Sequence, residues 1–511
     1  MQGWGSVRIT PATSQKRYFV SQNQADQGGY ITDVPYVIHY YRELNPAVLK
    51  LALAMNGINW DREENCDYIE LGCGFGLTPM FLAAGFPGSR FVGTDFNPEH
   101  IVTARGIAST AKLDNISFVE GAFADLETQV PGQFDVIAMH GIWSWIDDEN
   151  RAHILNFIDR HLKPGGLVYT SYNTQPGHAA GMPLRQLMFM GYEDATGPTE
   201  VRVDAGVKFA EKIQSLGAAY FTQNARAVQV LDHIKPKARN GLAHEYFNTY
   251  WRAFYFSEIA EPLKQIGLNY AASAHLLDNV DFVNYAPDAR EMLAKQEPIR
   301  REGLKDFFAN REFRRDIFIR AQPVKQNPAP LLAATRFATA DGPEGMDKIT
   351  GFTALGKVTV KPEHAGPVLT ALAATPAASI TDLLANPACA GLTPAEVMEI
   401  TVLMTALGGA DPALPEAGYA VRKAATDRLN AALWEAAQTV DVIRSAASPV
   451  TGGGIALHRI EQLFFLANQR GEDPGVFLRR LFGAQLQGDV TSNYKQFMDK
   501  RVPVLRKLGV G

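Results

Sequence analysis

Cysteine is scarce: Cys66, Cys73 and Cys389 are the only three in 511 residues. An odd number without metal-ligand spacing excludes a disulfide scaffold and argues against a cysteine zinc site. No long run of Lys or Arg occurs and the formal net charge is −5, so the basic footprint of a nucleic-acid binder is missing. No segment reaches the roughly 18–20 uninterrupted apolar residues that span a bilayer. The stretch Met1 to Gly29 is polar and has no signal-peptide core. These absences lead to the expectation of a cytoplasmic protein with no nucleic-acid or membrane partner. With 46% apolar and 20% charged residues, the composition is that of a globular chain. The length calls for two to four domains.

What is present centres on Tyr68-Ile69-Glu70-Leu71-Gly72-Cys73-Gly74-Phe75-Gly76-Leu77. An apolar strand runs into three glycines at alternate positions, and a helix begins behind them. Glycines there leave room for a ligand against the backbone, and the helix start brings free N–H groups to it. A dinucleotide fingerprint needs a glycine at the sixth position, where Leu77 stands. A P-loop needs Gly-Lys-Ser/Thr, which does not follow.

Strand and helix patterns then alternate from Asp67 to Ser171. Strands are expected at Tyr68–Leu71, Arg90–Thr94, Ile116–Glu120, Phe134–Met139 and Leu167–Ser171. Helices are expected at Leu77–Ala84, Pro98–Ser109 and Arg151–His161, the last stopped by Lys163-Pro164-Gly165-Gly166. This pattern predicts a doubly wound α/β sheet. Asp95 ends the second strand, where a carboxylate can hold two ribose hydroxyls. After the third strand, the Ala124 backbone N–H and the Asp125 carboxylate suit an adenine ring.

The domain reading is a flexible leader over 1–29 and a cofactor-binding core over 30–183. A helical insertion follows over 184–255, and 256–325 completes the sheet with a strand over Arg311–Ile319. A mostly helical, winged-helix-like C-terminal domain covers 326–511, with Phe352–Lys361 alternating as a strand and no recognisable chemical task.

The ordered set Glu70-x-Gly72-x-Gly74-x-Gly76, Asp95 and Asp125 resembles the class I S-adenosylmethionine-dependent methyltransferases, which have a Rossmann-like sheet. The resemblance implies S-adenosyl-L-methionine as cofactor. Glu70, Gly72, Cys73 and Gly74 would lie along its methionine portion, Asp95 on the ribose, Phe96 on adenine and Asp125 on the adenine amine. Ligands in such sheets lie beyond the carboxyl ends of the strands. The loops after strands four and five therefore supply the acceptor candidates His140, Trp143, Tyr172 and Asn173. Aromatic faces hold an ammonium or sulfonium, and His140 is the general-base candidate.

His140-Gly141-Ile142-Trp143-Ser144-Trp145 and Ser171-Tyr172-Asn173-Thr174-Gln175-Pro176-Gly177 are similar to bacterial methyltransferases that carry a methyltransferase regulatory domain. So are the arm from Tyr30 to Tyr36 and the run Phe307 to Arg314. This implies that Tyr30 and Tyr36 serve the cofactor site, and that lysine side chains of a protein partner are the acceptor, since the family includes protein lysine methyltransferases. Trp143 stands where the group has Tyr, and His178 where it has Trp, which bears on the acceptor. Alternatives are an N- or O-methyltransferase of a small molecule or saccharide, and a non-catalytic S-adenosylmethionine-binding regulator. No metal is expected, and a homodimer is admitted.

Overall fold

The computed structural model describes residues 8–9, 31, 39–340, 345, 349–441 and 443–511. Tyr30, Tyr36 and the leader other than Arg8–Ile9 lie outside the described residues. The central sheet has seven strands: β1 (Asp67–Leu71), β2 (Arg90–Asp95), β3 (Ile116–Glu120), β4 (Phe134–Met139), β5 (Leu162–Asn173), β6 (Asn269–Ser273) and β7 (Phe313–Ile319). Their order is β3-β2-β1-β4-β5-β7-β6. β7 runs antiparallel to both neighbours, and the pairs among the first five strands are parallel. The order reverses direction between β1 and β4, the switch point at which such sheets bind ligands.

Four helices frame this switch: α1 (Pro46–Met55), α2 (Leu77–Gly85), α3 (Pro98–Thr110) and α4 (Asp148–His161). The starts of α1 and α3 follow local chemistry. The Asn45 and Asn97 side chains accept from the N–H groups of Ala47 and Glu99, at 2.9 and 3.0 Å, and proline follows each cap. The fourth helix begins three residues before the expected Arg151. Asp147 caps it by accepting from the Asn150 N–H at 2.8 Å, and Asp148 and Glu149 suit its first turn. Those residues carry no apolar periodicity, so they read as loop in sequence.

β5 is also longer than expected, because Lys163-Pro164-Gly165-Gly166 belongs to the strand. A register shift against β4 between Phe134 and Val136 accommodates it. Gly165 and Gly166 exchange backbone hydrogen bonds of 2.9 Å with Arg320.

Helices including Met182–Glu193, Thr199–Ser215 and Arg239–Tyr246 lie between β5 and β6. Beyond β7 the chain is largely helical with short strands. The strand expected over Phe352–Lys361 is a hairpin instead, Thr350–Thr353 against Gly356–Thr359, because the chain reverses at Ala354-Leu355. Among the described residues no helix is long and apolar enough to cross a membrane.

The two faces of the sheet bury separate cores. Tyr68, Val136, Ala138 and Tyr169 belong to one, and Ile69, Ile137, Val168 and Tyr172 to the other. On the second face Arg314 is 3% exposed in its side chain and sits among three carboxylates. Its guanidinium donates to both oxygens of Asp316 at 2.8 and 3.0 Å, to Asp306 at 2.7 Å and to Glu302 at 3.2 Å. Removing one member of such a cluster leaves buried charge without a partner. Arg314→Ala is therefore expected to destabilise the chain by about 3–5 kcal/mol, read as a lowered urea midpoint at unchanged slope.

Candidate functional site

The carboxyl ends of β1, β2 and β4 open into a cavity of about 620 Å³. Glu70, Gly72, Cys73, Gly74, Asp95, Phe96, Asp125 and His140 line it. The structure thus gathers on one cavity eight side chains and backbone positions that sequence motifs pick out far apart in the chain. A larger cavity, about 1000 Å³, lies beside the edge strand β6 and contains none of them. Size therefore does not choose the site.

The glycine loop explains its own composition. Gly72, Gly74 and Gly76 all have positive φ, at 70°, 55° and 67°, where side chains are strained. A Cβ on Gly72 would also stand 2.2 Å from Ile142 Cδ1, whereas one on Gly74 would meet nothing within 4 Å. Gly74 lines the cavity, so its bare backbone leaves that space to a ligand. The Asp95 carboxylate pins this loop: Oδ2 accepts the Gly74 N–H at 2.8 Å and Oδ1 the Asn97 N–H at 2.9 Å. His100 Nδ1 lies 3.2 Å from Oδ1.

Glu70 is in the opposite condition. It is 3% exposed, and its Oε2 has no hydrogen-bond partner. Burial first, and the nearby Asp95 charge second, push its carboxyl up to about 8. Burial holds the Cys73 thiol protonated, with its value raised well above the ordinary one. A cationic ligand is what the orphaned Glu70 oxygen lacks.

On the facing wall, Tyr41 stacks on His140 with ring centroids 3.8 Å apart and 29° between planes. His140 Nδ1 lies 2.7 Å from the Tyr169 hydroxyl. Burial pushes the His140 imidazole down to about 3. Burial thus favours the neutral imidazole.

Three other candidates stand away from the cavity. Tyr172 belongs to the opposite core and donates its hydroxyl to Asp316 at 2.6 Å. Trp143 is 3% exposed in that same core, and its carbonyl accepts from Arg151 at 3.1 Å. Asn173 is fixed through its backbone, its N–H to Ser144 Oγ at 2.8 Å and its carbonyl from the Phe254 N–H at 2.9 Å. For Tyr172 the cause is strand parity. Successive side chains leave a strand on opposite faces, so Tyr169 reaches His140 while Tyr172 points through the sheet. Ala124 is exposed beside the cavity and does not line it.

Several lining residues belong to no motif: His39, Tyr41, Thr78, His100 and Asn150. A signal for two of them exists in His39-Tyr40-Tyr41, an aromatic run just before α1. Trp145 reaches the cavity wall and donates its indole N–H to the His244 carbonyl at 2.9 Å.

A family model described as a methyltransferase domain matches residues 69–168. A second, described as a predicted methyltransferase regulatory domain, matches residues 238–320. An uncharacterised protein of Synechocystis is 36% identical over 502 residues, covering 94% of this chain and 99% of its own. The chain belongs to the S-adenosylmethionine-dependent methyltransferases that carry a regulatory domain. The fold is also that of PKMT2 from Rickettsia typhi, solved in complex with AdoHcy, at 17% identity and a TM-score of 0.66. That match covers 91% of this chain and 99% of PKMT2. Trans-aconitate 2-methyltransferase of Deinococcus radiodurans is 26% identical over 172 residues, 32% of this chain and 62% of its own.

The residues present fit S-adenosylmethionine. Glu70 suits a cationic group, bare Gly74 leaves room along the loop, and Asp95 keeps carboxylate lone pairs on the cavity. The cofactor supplies a methyl group on a sulfonium. The chain would supply position: the glycine loop and Asp95 would hold the cofactor, with Tyr41 and His140 on the same cavity.

Two outcomes follow. The Glu70 carboxyl is raised in the folded chain, so its contribution to stability is full below its ordinary value and is lost as pH rises through about 8. A bound cation favours the ionised form. S-adenosylmethionine binding at pH 7 is therefore expected to release a proton, and affinity to rise toward pH 8 by at most about tenfold per unit. Calorimetry in two buffers of different ionisation heat measures the release, which Glu70→Gln should remove. Tyr172→Phe loses a buried bond to Asp316 and is expected to cost about 1–3 kcal/mol of stability. Cofactor affinity in that variant, checked in the same calorimeter, should stay within about twofold.

Proposed function

We propose that this methyltransferase transfers methyl groups to lysine side chains of a protein partner. The observation that carries this reading is the charge of the cavity. Among its described lining residues stand Glu70, Glu120, Asp95 and Asp125, and neither Lys nor Arg. A carboxylate acceptor would enter without a counter-charge, at a high desolvation cost. A lysine ammonium meets the aromatic faces of Tyr41 and Trp145, which attract cations, with no Lys or Arg among the described lining residues to repel it. Burial against such a wall also lowers the pKa of an amine. The nucleophile can then lose its proton to water without a strong base on the protein.

Two further facts support a macromolecular acceptor. The methyltransferase match ends at residue 168, leaving most of the chain outside it. The likeness to PKMT2 runs through those additional regions as well. The likeness to trans-aconitate 2-methyltransferase covers about a third of this chain and leaves most of them out.

Incubating the protein with tritiated S-adenosylmethionine and a bacterial lysate tests the reading. Label is expected in the protein fraction, and acid hydrolysis should return it as methylated lysine. Label confined to small molecules would overturn the proposal and favour a metabolite or saccharide acceptor. Cofactor binding with no label in any fraction would favour a regulatory binder.

A further inference from the structure

We propose that the C-terminal region of the chain belongs functionally to the cofactor site, and that Arg42 is the positioning residue joining the two. The link is the segment His39–Asn45, in which neighbouring side chains go to different places. His39 and Tyr41 line the cavity. Tyr41 stacks on His140, and its N–H donates to Thr78 Oγ1 at 3.1 Å. Tyr40 and Arg42 turn the other way. Tyr40 packs edge-on against Phe81, at 5.4 Å between centroids, and against the backbone of Gly453 and Gly454. There a Cβ on Gly453 would stand 2.1 Å from the Tyr40 hydroxyl.

Arg42 makes the strongest of these ties. Its guanidinium pairs with Asp411 and donates to the carbonyls of Thr405 at 3.0 Å and Ala410 at 2.8 Å. Asn45 adds a donation from Nδ2 to the Thr451 carbonyl at 3.1 Å. Asp411 is itself built in, as a member of a short strand paired with Arg336–Ala338. A planar, forked guanidinium holding one carboxylate and two carbonyls fixes direction as well as distance, which an ammonium cannot do.

On the site side, Tyr41 meets the rings of His140 and His39, its N–H donates to Thr78, and its carbonyl accepts from the Leu44 N–H at 3.2 Å. Ring contacts contribute modestly, and the anchors of the adjacent Tyr40 and Arg42 on the C-terminal region add to the placement of Tyr41. Segments more than 360 residues away in sequence therefore set one wall of the cofactor cavity. The inference rests on the cofactor assignment and is independent of which acceptor is used.

The test is S-adenosylhomocysteine affinity measured by calorimetry on the full chain, which needs no acceptor. Arg42→Ala and Tyr41→Ala are each expected to weaken binding by about tenfold, with Arg42→Lys intermediate. Because both act through one ring, the double variant should bind within about twofold of Tyr41→Ala. A structural role alone would give losses that multiply. Asp411→Asn loosens the same anchor from the other side, and it should shift affinity in the same direction even if Arg42→Ala does not fold. Multiplying losses, or wild-type affinity in both Arg42→Ala and Asp411→Asn, would overturn the clamp and leave the cofactor assignment standing. Absence of wild-type binding would overturn both.

Discussion

The site depends on one carboxylate, that of Asp95, which ties the tip of β2 to the glycine loop after β1. Its two oxygens accept the N–H groups of Gly74 and Asn97. The left-handed loop and the start of α3 are thus fixed to a single side chain. This arrangement has an electrostatic consequence one strand away. The Asp95 charge bears on Glu70, which is buried with an unpartnered oxygen. One acid is satisfied by the backbone and the other keeps an oxygen without a hydrogen-bond partner. A group that is unfavourable in the empty fold but paired in the complex makes binding sensitive to ligand charge. It also makes a cationic cofactor a source of stability to the fold.

Parity of the sheet decides what else can reach that ligand. Side chains on the face of Tyr68 and Glu70 share it with His140 and Tyr169, whereas Tyr172 and Trp143 join the opposite core. There Tyr172 helps to close the carboxylates around Arg314 through Asp316. The two faces thus divide the work. One presents a hydrogen-bonded wall to the cavity, and the other holds buried charge that fixes β5 against β7.

Much of the fold is legible in the sequence because its signals are local. The glycine spacing, Asp95 and Asp125 at strand ends, and the asparagine caps at Asn45 and Asn97 each act within a few residues. The strand starts and ends of β3 and β4 follow from apolar runs bounded by polar ones. What is not legible depends on contacts distant in the chain. Strand parity separates Tyr172 from the site, because its strand runs past the expected end at Ser171 to Asn173. His140 is buried against Tyr41 and Tyr169, neither of which a motif marks. The Asp147 cap hides one turn of α4 because that turn has no apolar face.

The C-terminal region illustrates the same limit most clearly, since its sequence carries no chemistry. The helix Tyr419–Ala436 packs on α2 and α3. Arg428 from that helix donates to the carbonyls of Ala111 and Lys112, at 3.1 and 3.3 Å, where α3 ends. Those carbonyls have no partner within the helix, and a cation there also opposes the negative end of the helix dipole. The first turn of α3 carries His100, which touches Asp95. The same helix is therefore held at its far end by the C-terminal region and at its near end by the residue that orders the glycine loop. Together with Arg42 on Asp411, Arg428 gives that region a second, separate grip on elements that bound the cavity. A region without a reactive residue can in this way determine how well a reactive site is formed.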